Sequence, residues 1–130
     1  MYSKIIVLFT LALISMSVLA AKSASELAKE TFVFVQEHEA MLGQIAVSAT
    51  KAEFKKAIDR PTTRKFEEWP RFGKDGYEKY TDCRMLLDSF KLYSAAQFQA
   101  KGRLSDTDNI SKLYFSDKRS CEGLLIELRE

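Results

Sequence analysis

Residues 83–121 read CRMLLDSFKLYSAAQFQAKGRLSDTDNISKLYFSDKRSC, and this stretch decides the fold. It opens and closes on the two cysteines of the chain, and its midpoint, residue 102, is a glycine. The flanking segments, Tyr77 to Lys101 and Asp106 to Arg129, carry apolar residues at helical spacing. Gly102-Arg103-Leu104-Ser105 supplies the turn between them. An antiparallel pair folded at that turn sets residues 83 and 121 level, each about 28 Å along its helix at 1.5 Å per residue. Both cysteines also lie on the apolar stripe of their own helix, so a Cys83–Cys121 bridge is expected. The pair lacks the close CxxC spacing of a redox dithiol, which favours a structural bridge. Closing a loop of about 39 residues contributes roughly 4 kcal/mol in the chain-entropy model.

Working outward, the helix after Tyr77 is apolar over most of its circumference. Tyr80, Cys83, Leu87, Phe90 and Phe98 form its stripe, and its polar stripe is narrow: Thr81, Arg84, Asp88, Lys91, Gln99. A helix of that kind has neighbours on several sides and should be the central element. The last helix, capped by Ser105 or Asp106, uses Ile110, Leu113, Tyr114, Cys121, Leu124, Leu125 and Leu128, with Ser116-Asp117 read as a second cap that divides it. Leu87, Phe90, Leu124 and Leu125 are its expected shared core with the central helix.

Toward the N-terminus, Ser23 with Glu26 fits a capping box that opens a first helix. Its stripe is Leu27, Thr31, Phe34, Val35, His38, Met41, Leu42, Ile45 and Ala49. Gly43 and the run Val47-Ser48-Ala49-Thr50 weaken it, and Thr50 with Glu53 offers a second capping box. The spacing therefore predicts a break and a short helix from Lys51 to about Ile58, stopped by Pro61. Residues 60–76 read as irregular, with one or two helical turns between Thr63 and Trp69. The fold expected is all-α: a small helical bundle of three main helices, the first one broken, with one interhelical disulfide. Residues 21–130 make a single domain.

Met1 to Ala20 has the layout of a secretory signal peptide: Lys4, an apolar run from Ile5 to Leu13, and Val18-Leu19-Ala20 before a cleavage point at Ala20 or Ala21. Export follows, to the periplasm in a bacterium and otherwise to the outside, where a disulfide persists. Without Lys4 the balance is 19 basic against 18 acidic residues, a net charge that gathers neither nucleic acid nor an anionic membrane. Residues 51–74 are locally basic, and a solvated helix face and loop is the expected reading.

Few residues invite chemistry. His38, the single histidine, sits on an apolar stripe without HExxH or any ligand at helical spacing, so a structural imidazole is expected and no metal site. Glu67 and Glu68 beside Trp69 point about 100° apart and cannot flank one glycosidic bond. The Gly73-Lys74-Asp75-Gly76 run lacks the spacing of a phosphate loop. Asn109-Ile110-Ser111 fits the glycosylation acceptor pattern, with meaning only in a eukaryotic secretory pathway. No catalytic residue and no cofactor is expected. Phe66, Trp69 and Phe72 recur at i, i+3 and i+6, interleaved with Arg64, Lys65 and Arg71. Trp and Arg are frequent interface anchors, so Phe66, Trp69, Phe72, Arg64 and Arg71 are the candidate partner-binding residues; the competing reading tucks the aromatics under the loop. The function expected is an exported non-enzymatic binding protein, an inhibitor or immunity protein for another exported protein. A periplasmic stress chaperone and an enzyme of unrecognised type are the alternatives.

Overall fold

The computed structural model describes residues 22–71 and 74–127. The expected signal segment lies outside the described residues. Four helical rods make the domain, and no strand occurs among the described residues. The rods are α1 (Ala24–Ser48), a composite rod, α4 (Thr81–Gln99) and α5 (Asn109–Glu127); the composite consists of α2 (Lys51–Phe54), a π turn (Lys55–Asp59) and α3 (Arg60–Glu67). A 3-10 turn at Glu78–Tyr80 leads into α4. As the sequence predicts, α4 is central: it packs against α1, α3 and α5.

Local chemistry sets most of the boundaries. Ser23 Oγ accepts from the Glu26 backbone N–H and Thr50 Oγ1 from that of Glu53, so both capping boxes open helices. The first helix thus ends at Ser48 and restarts at Lys51. At the far end of α4, Gly102 N–H donates to the Gln97 carbonyl and Lys101 N–H to that of Phe98, the paired bonds of a Schellman cap. Lys101 and Gly102 take φ of 52° and 79°. Glycine suits residue 102 twice over, since a Cβ there would come within 3.0 Å of Val47 Cγ2 on α1.

The turn returns the chain antiparallel, and Cys83 and Cys121 are bridged with Cα atoms 4.6 Å apart. Both are fully buried. Around them Leu86, Leu87, Phe90 and Tyr114 fill the α4–α5 seam, and Val35, Leu42 and Ala46 of α1 close the core. Leu87 and Phe90 are buried as expected, whereas Leu124 and Leu125 pack against the core from half-buried positions.

Three boundaries differ from expectation. Pro61 does not stop the composite rod. A proline has no N–H to give and its ring crowds the carbonyl one turn back. The rod absorbs this with the π turn, in which Arg60 N–H reaches back to the Lys55 carbonyl, and the Thr62 hydroxyl donates to the Ile58 carbonyl at 2.6 Å. Ser116-Asp117 does not divide α5, because Tyr114 and Cys121 on either side are both buried in the core. The cap of α5 is Asp108, whose Oδ1 accepts from Ile110 N–H at 2.8 Å; Ser105 instead accepts from Thr107 N–H. Among the described residues no helix is long and apolar enough to cross a membrane.

Candidate functional site

The expected contact residues near Trp69 are a structural plug. Trp69 is 6 % exposed, and its Nε1–H donates to Thr31 Oγ1 at 3.1 Å beneath the surface. Tyr77 meets it edge-on at 6.3 Å between centroids. Phe66 packs half-buried on the core under the Arg84 guanidinium, 5.0 Å from its ring centre. Trp69 and Phe66 therefore face inward, as in the tucked reading of these aromatics and not as a surface-presented pair: helix α3 ends at Glu67 and turns Trp69 back onto α1. Phe72 lies outside the described residues. Arg64 and Arg71 are exposed.

Ions close the plug from outside. Lys22 Nζ bonds Glu30 at 2.7 Å and Glu68 at 2.9 Å, while Lys65 Nζ reaches the same two carboxylates at 3.2 and 3.0 Å. The Tyr77 hydroxyl donates to the Lys22 carbonyl at 2.9 Å. The Lys22 hydrogen bond holds the Glu30 carboxyl below the usual carboxylate range, and its two carboxylate partners hold the Lys22 ammonium above its ordinary range. The recess among Trp69, Arg71, Lys74 and Tyr77 has a volume of about 30 Å³, room for a water molecule or two and no ligand.

The titratable candidates are likewise committed to the fold. His38 Nδ1 donates to the Phe34 carbonyl at 2.7 Å, and its ring stacks on Phe34 at 3.8 Å. Glu68 belongs to the ion cluster. Glu39 pairs with Lys118 beside the buried Tyr114 phenol, whose pKa burial and then the Glu39 charge push far up. No group of three or more His, Cys, Asp or Glu side chains able to hold a metal occurs among the described residues.

An open site lies elsewhere, along the composite rod. Phe54 stacks on Phe98 of α4 with centroids 4.5 Å apart and planes 12° from parallel. Beside this pair runs a slot of about 380 Å³ lined by Phe54, Phe98, Ala95, Lys51 and Lys55, with Asp59 and Gln99 at its polar edge. Lys51 and Lys55 also border a shallower depression with Lys56 and Arg60. The π turn makes this convergence. In a regular α-helix residues four apart share a face, whereas i→i+5 bonding brings residues five apart into line as well. Lys51 with Lys56 and Lys55 with Arg60 therefore join the i, i+4 pairs on one side. Arg64, four residues beyond Arg60, continues the stripe.

None of Lys51, Lys55, Lys56 or Arg60 forms an ion pair among the described residues. The nearby acids are engaged: Asp59 faces Lys91 at 4.0 Å, and Glu53 accepts from the Thr50 hydroxyl at 3.1 Å. The basic run at 51–60 is visible in the sequence, but reading it as a solvated face misses Phe54 and Phe98. Their contact joins two helices across the fold, so no local pattern signals it.

Fold and site together define the class, a small all-α protein closed by one interhelical disulfide with a cationic, apolar-floored groove. Compared with protein-family models, characterised proteins and solved structures, the chain matches none.

Proposed function

We propose that this is an exported, non-enzymatic binding protein that docks another exported protein in the groove between the composite rod and α4. The observation that carries the reading is a set of four cations, without ion pairs among the described residues, of which Lys51 and Lys55 line an open, mainly apolar slot and Lys56 and Arg60 the depression beside it. Exposed like charges without partners contribute nothing to folding and repel one another, so their clustering fits a partner of opposite charge. The apolar slot beside them supplies the water-excluding surface that charge alone lacks. The signal-like Met1–Ala20 segment and the buried disulfide support the oxidising compartment in which that partner would be met. Against an enzyme stand the structural contacts that occupy His38 and Glu68.

The test is site-specific photo-crosslinking in the native compartment, with the reactive group placed at Lys55 and, as a control, at Lys112 on the exposed face of α5. An exported protein captured from position 55 and not from 112, and lost when Lys51 and Arg60 are changed to Glu, is the expected result. The same products at both positions, or none at 55, would overturn the reading.

A further inference from the structure

The slot and the cation stripe differ in shape and chemistry, and together they constrain what fills them. The slot is an open recess with Phe54, Phe98 and Ala95 as its apolar wall and Lys51, Lys55 and Asp59 among its polar lining; its volume of about 380 Å³ has ample room for a large side chain. The stripe from Lys51 to Arg60 runs about 13 Å at 1.5 Å per residue. An extended chain at about 3.3 Å per residue covers that length in roughly four residues. We infer that the occupant is a short acidic segment of a protein chain bearing one large apolar side chain, the side chain entering the Phe54–Phe98 slot while flanking carboxylates lie along Lys51, Lys55, Lys56 and Arg60. This rests on the groove being the contact surface.

Two features favour a peptide over the other polyanions that a cation stripe could meet. A flat anionic bilayer would neutralise the lysines but leave the recess between rod and α4 unfilled. A single-stranded nucleic acid would bring a base to the aromatic slot, but a protein whose overall charge is close to balanced has no field to gather a polyphosphate chain. An acidic segment with a Leu, Phe or Trp satisfies both parts. Because the cations are exposed, their attraction is screened over about 10 Å at 0.1 M salt, so binding should be strongly salt-dependent.

The experiment is selection from a random twelve-residue peptide library displayed on phage, panned against the full folded chain with its disulfide intact. Expected survivors are acidic and carry one large apolar residue flanked by Asp or Glu. A synthetic consensus peptide should weaken at least tenfold when its apolar residue becomes Ala, and at least tenfold against the Lys55→Glu/Arg60→Glu protein. Lys112→Glu should leave its affinity unchanged. Ala95→Leu, which fills the slot, should erase the difference between the parent and Ala-substituted peptides in protein that keeps the parent's circular dichroism and melting temperature; the peptide's own Ala change, measured on the unaltered protein, tests the slot without any variant having to fold. Neutral or basic survivors, or acidic ones indifferent to the apolar residue, would overturn the inference. So would tight binding to phosphatidylglycerol vesicles with no peptide enriched, which would make the surface a membrane contact. If Lys55 crosslinks an exported protein but panning yields no acidic–apolar consensus, the function reading stands and this inference falls. If the consensus appears without a crosslinked exported partner, the reverse holds.

Discussion

Trp69 and Phe98 both sit near the edge of the bundle with cations close by, and they end in opposite states. Trp69 meets Tyr77 edge-on and is hydrogen-bonded to Thr31, and the neighbouring residues Glu30 and Glu68 hold Lys22 and Lys65, each lysine bonded to both carboxylates. Phe98 is stacked on Phe54 with one side open to a slot, and the cations near that slot form no ion pair among the described residues. Charge next to aromatic residues therefore means two things in this molecule. Where carboxylates hold the cations, as at Lys22 and Lys65, and the ring is covered, the cluster stabilises the fold. Where cations are unpaired and the recess is open, the cluster contributes little to folding and is free to bind.

The sharpest way to break that distinction is Trp69→Ala. Removing a buried indole leaves a cavity and strands the Thr31 hydroxyl, so the expected loss is about 3–5 kcal/mol in denaturant unfolding. Affinity per folded molecule for a groove ligand should not change. A loss under about 1 kcal/mol with weakened binding would move the contact surface back to the Trp69 region.

Next in size is the bridge between α4 and α5. Replacing both cysteines by Ser should lower stability by about 2–4 kcal/mol, because the unfolded chain regains the freedom of a closed loop. The groove lies between the composite rod and α4, so its ligand affinity should survive wherever the variant remains folded. Urea unfolding with and without the groove peptide checks both statements.

The pattern of what the sequence reveals follows the range of each interaction. The Cys83–Gly102–Cys121 symmetry is legible because a covalent bridge and a turn fix distance along the chain. Ser23 and Thr50 are legible because a cap reaches only three residues. The end at Pro61 misreads a local rule that one π turn overrides, and the division at Ser116-Asp117 fails because burial of Tyr114 and Cys121 outweighs cap propensity. The Trp69 plug depends on Thr31, and the slot on Phe54 meeting Phe98. Each contact joins segments about forty residues apart, so only the assembled fold reveals which aromatic cluster is sealed and which is open.

The ions that seal the plug give a pH test. The Lys22 hydrogen bond keeps the Glu30 carboxyl below the usual carboxylate range. A group whose folded pKa is lowered contributes stability above its unfolded value, and that contribution is lost as pH falls through the folded value. Lys22→Ala should therefore lower the melting temperature slightly at pH 7, and the difference from the parent should vanish once acid has protonated Glu30. A difference that persists or grows in acid would show that Lys22 acts through something other than these carboxylates.

The smallest expected effect on stability belongs to the groove, and its smallness is the point. Lys55→Glu and Lys56→Glu remove no ion pair and no buried contact, so each should change unfolding free energy by no more than about 0.5 kcal/mol. Like charges one turn apart on a helix cost a few tenths of a kcal/mol, so the sign should be toward greater stability. Salt separates this from chance. In the parent, raising ionic strength from low values screens the repulsion among Lys51, Lys55, Lys56 and Arg60, and the melting temperature should rise. In the Lys55→Glu/Lys56→Glu double variant that rise should flatten or reverse, because each pair four or five residues apart among positions 51, 55, 56 and 60 then joins opposite charges. A marked destabilisation of either single variant would mean that these lysines hold the rod together, and the distinction between a sealed cluster and an open one would fail at its open end.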